Sequence, residues 1–245
     1  MLKLNISIIM PVYNAEKTIL KTLNSVLNQS FKNWELIIVD DASIDNTITC
    51  LKKINDERII IIKNFKNQGP GICRDEALKK AKGKYIAFLD ADDTWNTSFL
   101  EIYYKTIIEY QCDIVYGSYI MKNGNKSRIF QPEDLSLEQL YIQSPLSCLA
   151  VLIKSDIIGK CKFEGAERED LHFWVQIIKR YNPSYRKVTS PLAHYIVSPQ
   201  SRSGKKYRIA MVHANMLFAD KEFSFPKKLK IFMLYILKGF AKYKL

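Results

Sequence analysis

Three carboxylates follow directly after a short apolar run early in the chain. Residues 85–89 have the length and composition of a buried strand, and Asp90, Asp92 and Asp93 lie within four residues of its end. Because like charges at this spacing repel, they need a cation or hydrogen-bond donors to stay ionised. Hard divalent ions prefer carboxylate oxygens as ligands. The stretch therefore predicts a metal site, and a polar turn before a helix over residues 98–110 is the alternative.

Strands and helices alternate in the part of the chain that leads to these acids. Apolar, β-branched runs predict strands, and amphipathic stretches with short connections predict helices between them. The predicted strands are residues 6–10, 36–39, 59–62 and 85–89, and the predicted helices include 72–81. This order predicts an α/β fold with a mostly parallel central sheet flanked by helices. Ligands of such sheets bind beyond the carboxyl ends of the strands.

The first predicted helix has a clear apolar face. Asn14 is expected to cap this helix, because a short polar side chain there can accept hydrogen bonds from the first backbone N–H groups. The residues predicted to share its buried face are Ile19, Leu20, Leu23, Val26 and Leu27.

Two further polar side chains follow predicted strands. Pro11-Val12-Tyr13-Asn14 stands after the first strand, where dinucleotide-binding sheets carry G-x-G-x-x-G, so a pyrophosphate is not expected on the first helix. Tyr13 offers a flat ring on which a base could stack, and Asp40 could accept a hydrogen bond from a base N–H. A packing aromatic and a helix-entry cap are the alternatives. The shared sheet edge favours the binding interpretation.

The basic excess of the chain is concentrated in its C-terminal part. The 245 residues include 37 Lys and Arg against 25 Asp and Glu, a formal net charge of +12, and 11 of the basic but only 2 of the acidic residues lie from Arg202 onward. Residues 226–245 show helical apolar periodicity at Leu229, Phe232, Met233, Ile236, Phe240 and Tyr243. This pattern predicts an amphipathic helix on an anionic membrane surface. A helix packed on the body or in a dimer is the alternative.

Cysteine usage and hydropathy suggest a cellular location. The five cysteines form no C-x-x-C pair and have no histidine at zinc spacing, which favours a reducing cytoplasm. We see no signal peptide, and no segment has the roughly 20 apolar residues of a membrane span. We predict a cytoplasmic protein, peripheral on the inner face of the cell membrane.

Five motifs in register resemble family-2 glycosyltransferases of the GT-A fold. They are Pro11-Val12-Tyr13-Asn14, Val39-Asp40-Asp41-Ala42-Ser43-Ile44-Asp45, Asn67-Gln68-Gly69-Pro70 with Arg74, Leu89-Asp90-Ala91-Asp92-Asp93, and Glu169-Asp170. The similarity runs over about residues 7–174, and five ordered motifs are far more specific than any one of them.

The resemblance implies a nucleoside diphosphate sugar as donor. Pro11, Tyr13 and Asp40 would hold the base, usually uracil, with Asp40 accepting the N3–H. Arg74 would reach the nucleotide or its phosphates. As a lone arginine on a helix, it would otherwise be a solvated surface residue.

The resemblance also implies a metal and a catalytic base. Asp92, together with Asp90, would bind the Mn²⁺ or Mg²⁺ that bridges the diphosphate, and Asp90 would contact the ribose or a metal-bound water. Asp170 would take the proton from the acceptor hydroxyl, with Glu169 in support. Without the other motifs, these two acids would be explained by favourable charge at the N-terminus of a helix over residues 171–180.

The chain departs from the family pattern at several positions. Ala42 stands where Gly is usual, and Asp75 where Asn commonly follows the Arg. After His194-Tyr195, Ile196 and Ser198 replace an Arg and a His. Arg202, Lys205 or Lys206 could supply the diphosphate contacts of these two instead.

The combined prediction is an inverting, metal-dependent glycosyltransferase that adds a sugar, UDP-linked by family habit, to a glycan or lipid-linked glycan in cell-surface polysaccharide synthesis. We expect a catalytic domain over residues 1–200, divided near residue 95 into nucleotide-binding and acceptor halves, and a basic helical tail over 201–245. The acceptor half matches no specific pattern, so it names no acceptor.

Three alternative functions predict other sequence features or other behaviour. A sugar-nucleotide pyrophosphorylase would carry a G-x-G-T-R-like loop after the first strand, which this sequence lacks. A nucleic-acid-binding protein would place its cations in a groove beside stacking aromatics, whereas here they concentrate on an apolar-faced helix, so no nucleic-acid partner is expected. A homologue that binds sugar nucleotides without turnover stays open.

Overall fold

The computed structural model describes residues 4–165, 167–197 and 206–242. Strands and helices alternate first as β1 Ile6–Val12, α1 Ile19–Leu27, β2 Trp34–Asp40, α2 Thr47–Leu51, β3 Ile59–Lys63, α3 Pro70–Leu78 and β4 Tyr85–Phe88. Then follow β5 Thr94–Trp95, α4 Phe99–Glu109, β6 Ile114–Asn123, β7 Lys126–Phe130, α5 Leu137–Gln143, β8 Val151–Lys154, α6 Glu169–Tyr181, β9 Tyr185–Ile196, α7 Lys206–Ala219 and α8 Phe225–Lys242.

The strands of the described residues form one nine-stranded sheet. Its order is β3-β2-β1-β4-β8-β6-β9-β5, with β7 paired to β6. The first four strands run parallel, as predicted, and their carboxyl ends meet at one edge. From β8 onward the pairing is mixed, because β8 is antiparallel to both β4 and β6 while β9 is parallel to β6.

Helices cover both faces of the sheet because alternate strand residues point to opposite sides. Ile8 and Met10 of β1 pack in a hydrophobic layer that includes residues of α1 and α4. Ile9, between them, packs in a second layer that includes residues of α3, α6, α7 and α8. β1, β2 and β4 are buried along their whole length, which explains their nearly continuous apolar sequences.

The start of α1 differs from the prediction in two respects. Leu20 is exposed, whereas Ile19 and Leu23 are fully buried, so the apolar face is narrower than expected. Asn14 does not cap α1, because the helix begins only at Ile19. Instead, the Asn14 backbone has a φ of 48°, and its Oδ1 accepts a hydrogen bond of 2.9 Å from the Ile44 N–H, which joins the loops after β1 and β2.

One side of α8 packs against the rest of the protein. Ile231 is fully buried, and Phe232 and Leu234 are partly buried against the layer formed with α5 and α6. This is the body-packed helix that the sequence left as an alternative. No helix in residues 4–165, 167–197 and 206–242 has the length and hydropathy needed to cross a bilayer.

The opposite side of α8 exposes a row of apolar side chains, which we call the outer face. It consists of Phe225, Leu229, Met233 and Leu237. Of the residues predicted to share one membrane-facing side, Leu229 and Met233 do lie on the outer face, whereas Phe232 packs against the protein. The side chains of Phe240 and Tyr243 lie outside the described residues.

A buried carboxylate ties three helices together. Asp220, at the end of α7, accepts hydrogen bonds from the Tyr141 hydroxyl of α5 at 2.9 Å and from the Lys179 ammonium of α6 at 2.7 Å. The Glu222 N–H donates a third, at 3.0 Å. Burial alone would raise the pKa of Asp220, but these donors outweigh it and lower the pKa.

We predict that Asp220→Asn lowers the free energy of unfolding by about 1–3 kcal/mol at pH 7, because it removes a charge-assisted, buried acceptor. A lowered folded-state pKa contributes stability above the unfolded value, 3.8 for a model Asp, and this contribution is lost as the pH falls through the folded value. The gap between the two proteins should therefore close below about pH 4 in denaturant titrations. Asp134→Asn, which removes an exposed partner of Lys187, is the control and should change stability by less than about 1 kcal/mol. A gap that persists unchanged at low pH would contradict the assignment.

Candidate active site

The ends of β1 and β2 present a buried acceptor that lacks a donor. Asp40 is fully buried at the end of β2, and its Oδ2 accepts a long hydrogen bond of 3.3 Å from the Ser43 N–H. Its Oδ1 is buried and has no partner among the described residues. A buried acceptor left unpaired is costly, so this oxygen suits an N–H that a ligand supplies. Pro11 lies buried in β1 beside Val39, and Tyr13, directly after β1, is 48% exposed.

Asp41 has a role that the sequence analysis missed. Its carboxylate accepts hydrogen bonds from the Asn64 amide at 3.1 Å, the Gln68 N–H at 3.0 Å and the Gly69 N–H at 2.7 Å. These contacts fix the loop that leads into α3 to the end of β2. Gly69 enters α3 with a φ of 89°, which other residues rarely adopt. The signal was present, since adjacent side chains at a strand end point to opposite sides and only one can face a ligand.

Arg74 joins the two halves of the site. Its side chain is almost completely buried in α3, its Nη2 lies 2.6 Å from Asp90 Oδ1, and its Nη1 lies 3.4 Å from Glu169 Oε1. Burial acts to lower the pKa of Arg74, but Asp90, Cys148 and Glu169 outweigh it and raise the pKa. Arg74 is therefore a buried link between β4 and α6 and not a solvated surface residue. Its contact with a nucleotide stays a prediction.

Close packing between α3 and the segment before α6 supports this link. A Cβ at Gly71 would lie 2.9 Å from the Phe163 carbonyl oxygen and 3.2 Å from Glu169 Cγ, so a larger residue there would displace the segment. Asp75 Oδ1 accepts a hydrogen bond of 3.1 Å from the Phe163 N–H. An Asn has the same acceptor, which explains why Asp75 is tolerated where Asn is common.

The three acids after β4 have different surroundings. Asp90 is paired with Arg74. Asp93 is buried and accepts a hydrogen bond of 2.9 Å from the Ile196 N–H of β9; burial first, and then Asp92 and Asp90, raise its pKa well above the usual value. Burial and the charge of Asp90 raise the pKa of Asp92 to about 6. No ion pair joins Asp92 to a cation within the described residues, and a hydrogen bond from its own N–H lowers its pKa by less than burial and Asp90 raise it.

The carboxylates after β4 fit a divalent ion that binds together with a ligand. No group of three or more His, Cys, Asp and Glu able to hold a metal occurs in the described part of the chain. The protein would thus contribute one or two carboxylates, and the remaining ligands would have to be phosphate oxygens and waters, an arrangement that Mg²⁺ sites commonly use. A cation beside Asp92 would also relieve the repulsion that raises its pKa.

The first turn of α6, which contains Asp170, is joined through Glu169 and Arg74 to Asp90 after β4. Cys148 is buried, and burial is the main cause of its raised pKa; Arg74 lowers that pKa, while Asp90, Asp170 and Glu169 raise it further. Charges from the residue after β4, from α3 and from the first turn of α6 therefore act on the same thiol. Asp170 is partly buried and follows Glu169, which shares Arg74 with Asp90.

The remaining departures from the family pattern have different outcomes. Ala42 has a φ of 59°, a left-handed conformation that explains why Gly is usual there and that costs Ala about 1–2 kcal/mol. Ser198, Arg202 and Lys205 lie outside the described residues, as does the Lys206 side chain. Their contact with a diphosphate stays a prediction.

Comparison with known proteins assigns the family. Residues 7–162 match the family described as Glycosyl transferase family 2. The chain is 34% identical over 205 residues, covering 83% of this chain and 81% of its relative, to the Escherichia coli UDP-Glc:alpha-D-GlcNAc-diphosphoundecaprenol beta-1,3-glucosyltransferase WfgD.

Solved structures share the fold. The crystal structure of S. aureus TarS 1–349 in complex with UDP-GlcNAc has a TM-score of 0.73 and 22% identity, with coverage of 97% of this chain and 73% of that one. The chain spans 44% of the longer TarS chain. The mannosyltransferase PcManGT from Pyrobaculum calidifontis, in complex with GDP-Man and Mn²⁺, has a TM-score of 0.69 and 18% identity, covering 94% of this chain and 68% of that one.

These findings confirm the predicted GT-A fold, with a mixed sheet, flanking helices and further helices at the C-terminal end. The chain is a glycosyltransferase and belongs to glycosyl transferase family 2.

Proposed function

We propose that the protein transfers a sugar from a UDP-sugar to a lipid-linked glycan acceptor, with inversion at the anomeric carbon, in cell-surface polysaccharide synthesis. The relative WfgD is named for UDP-Glc as donor and for a diphosphoundecaprenol-linked GlcNAc as acceptor. The observation that carries the proposal is the buried Asp40 Oδ1 without a donor among the described residues; Tyr13, which is 48% exposed, follows Val12, the β1 residue that pairs with Asp40. A uracil stacked on Tyr13 would supply the missing N–H.

The proposed reaction is an in-line displacement. The acceptor oxygen forms a bond to the anomeric carbon from one face while the bond from that carbon to the diphosphate oxygen breaks on the other. Asp170 Oδ takes the acceptor proton as the new bond forms, because a hydroxyl becomes acidic only when its oxygen begins to share its electrons. Glu169, held by Arg74, supports Asp170 by fixing the first turn of α6.

A divalent ion, Mn²⁺ or Mg²⁺, would neutralise charge that develops on the leaving diphosphate. Asp92 would hold it, with Asp90 contributing directly or through a water or the donor ribose. Asp93 keeps the segment in place through the Ile196 N–H. We also propose the domain division given above, with residues 1–200 catalytic and 201–245 a basic tail.

The outer face of α8 supports peripheral attachment of a cytoplasmic enzyme to an anionic membrane. Leu229 and Met233 are each about half exposed, and Lys230 between them is exposed. Apolar side chains beside basic ones are typical of interfacial helices. A lipid-linked acceptor would place the reaction at such a surface.

Replacing Asp170 by Asn should lower the turnover number about 10²- to 10⁴-fold, the contribution typical of a general base. UDP affinity, measured by calorimetry, should stay within about 2-fold, because Asp170 acts on the acceptor side. The assay would follow release of UDP from UDP-glucose with an α-D-GlcNAc-diphosphate lipid as acceptor, and proton NMR would read the anomeric configuration of the product.

The matched control is Asp156→Asn, which replaces an exposed aspartate. An Asp170→Asn variant with wild-type turnover would rule out the base, and a product that retains the donor configuration would rule out the inverting reaction.

Asp92→Asn should abolish the dependence of UDP binding on Mn²⁺. In the wild-type protein, Mn²⁺ should tighten UDP binding and a chelator should stop turnover, since the ion joins the protein carboxylate to the diphosphate. Calorimetry with and without Mn²⁺ measures this for both proteins, with Asp156→Asn again as control. Equal UDP affinity of the wild type with and without the ion would remove the metal role of Asp92.

Leu229→Glu combined with Met233→Glu should weaken binding to phosphatidylglycerol vesicles at least about tenfold, because two apolar side chains no longer enter the interface. Co-sedimentation measures the bound fraction, and thermal unfolding should be nearly unchanged since both side chains are exposed. The control is Ile108→Glu with Ile129→Glu, which replaces two equally exposed apolar residues elsewhere. Unchanged sedimentation of the α8 variant would exclude this face as the docking site.

A further inference from the structure

The turn immediately before α6 has an unusual backbone. Arg168 has a φ of 59° and a ψ of 28°, in the left-handed region that non-glycine residues seldom adopt. Its carbonyl oxygen accepts the hydrogen bond of 3.0 Å from the His172 N–H that opens the helix. The conformation of Arg168 therefore sets the direction of the first turn of α6, and Asp170 lies in that turn.

The Arg168 side chain is anchored to two other helices. Its Nη2 donates a hydrogen bond of 2.8 Å to Ser144 Oγ, at the end of α5. Ser144 is itself fixed, because its Oγ donates to the Leu140 carbonyl oxygen at 3.1 Å. The guanidinium carbon of Arg168 lies 6.0 Å from the centre of the Tyr235 ring in α8. A left-handed turn persists when the surroundings over-determine it, and these contacts do so.

The preceding residue is tied to α7. Glu167 Oε1 lies 2.7 Å from the Nε of Arg208. The segment before α6 is thus held by α5, α7 and α8 on one side, while Glu169 is held by Arg74 of α3 on the other. Asp170 follows these anchored residues directly, in the first turn of α6.

We propose that Arg168 is a positioning residue for sugar transfer: its anchor on Ser144 and Tyr235 holds the turn from which Asp170 reaches the acceptor hydroxyl. The inference rests on the proposed role of Asp170 as the base. The proposal gives the C-terminal helix α8 a part in catalysis, because its Tyr235 ring contacts the Arg168 guanidinium. A contact that only stabilised the fold would change unfolding without separating turnover from donor binding.

Arg168→Gly tests the anchor directly, because glycine adopts a φ of 59° without strain and only the side chain is lost. We expect the turnover number to fall about 10- to 100-fold, the cost of a base displaced by about an ångström, while UDP affinity stays within about 2-fold. Ser144→Ala removes one hydrogen bond and should change turnover in the same direction by a smaller factor. Turnover is read as UDP release from UDP-glucose, both with the α-D-GlcNAc-diphosphate lipid and with water as acceptor. Arg180→Ala, an exposed arginine at the other end of α6, is the control and should leave both quantities unchanged.

Wild-type turnover in both Arg168→Gly and Ser144→Ala would overturn the proposal, as would UDP affinity that falls in step with turnover. If Arg168→Gly does not fold, Ser144→Ala decides by the same criteria. Asp170→Asn, measured alongside, separates the proposed anchor of Arg168 from the proposed base Asp170. Loss of turnover in Asp170→Asn but not in the Arg168 and Ser144 variants would defeat the anchor alone, and full turnover in Asp170→Asn would defeat the base and this inference with it.

Discussion

The buried ion pairs of Arg74 hold the site together. The Arg74 guanidinium contacts Asp90, which follows the parallel half of the sheet, and Glu169, which begins α6 and lies 95 residues after Arg74 in the chain. Removing the partner of a buried charge typically costs about 3–5 kcal/mol, and this applies to the Arg74 guanidinium, which is 5% exposed, more than to Asp90, which is 41% exposed. The end of β4 and the start of α6 are therefore fixed relative to each other by electrostatics as well as by packing, and glycine at position 71 provides the space that lets α3 approach α6.

Neighbouring carboxylates have different partners because their surroundings differ. Asp40 and Asp41 are adjacent, yet Asp40 has a buried oxygen without a partner among the described residues, whereas Asp41 accepts hydrogen bonds from Asn64 and from the loop before α3. After β4, Asp90 has an arginine and Asp93 has the Ile196 N–H of β9, whereas Asp92 has only its own N–H and no paired cation among the described residues. A carboxylate that the protein leaves uncompensated is a natural place for a ligand or ion to bind.

The fold and the membership of the family were predictable from the sequence, whereas the partners of individual side chains were not. Buried strands reveal themselves by uninterrupted apolar runs, and the acids at their ends follow from the shared edge of a parallel sheet. Asn14, Leu20 and Phe232 were assigned wrongly because local periodicity does not show where a helix begins or which neighbours cover it. The contacts of Arg74 and Arg168 depend on residues distant in sequence, and no short-range pattern carries that information.

The burial of Cys148 has a consequence for thiol chemistry. Alkylating and oxidising reagents attack the thiolate, and burial raises the pKa of this thiol despite the opposing effect of Arg74, so little thiolate is present at neutral pH. Cys73, Cys112 and Cys161 are buried as well, and Cys50, on α2, is the only cysteine with partial access to solvent. The native protein should therefore accept a maleimide or a spectroscopic label at Cys50 while the buried Cys148 thiol stays reduced, which gives a natural attachment point on the face of the sheet opposite to α6.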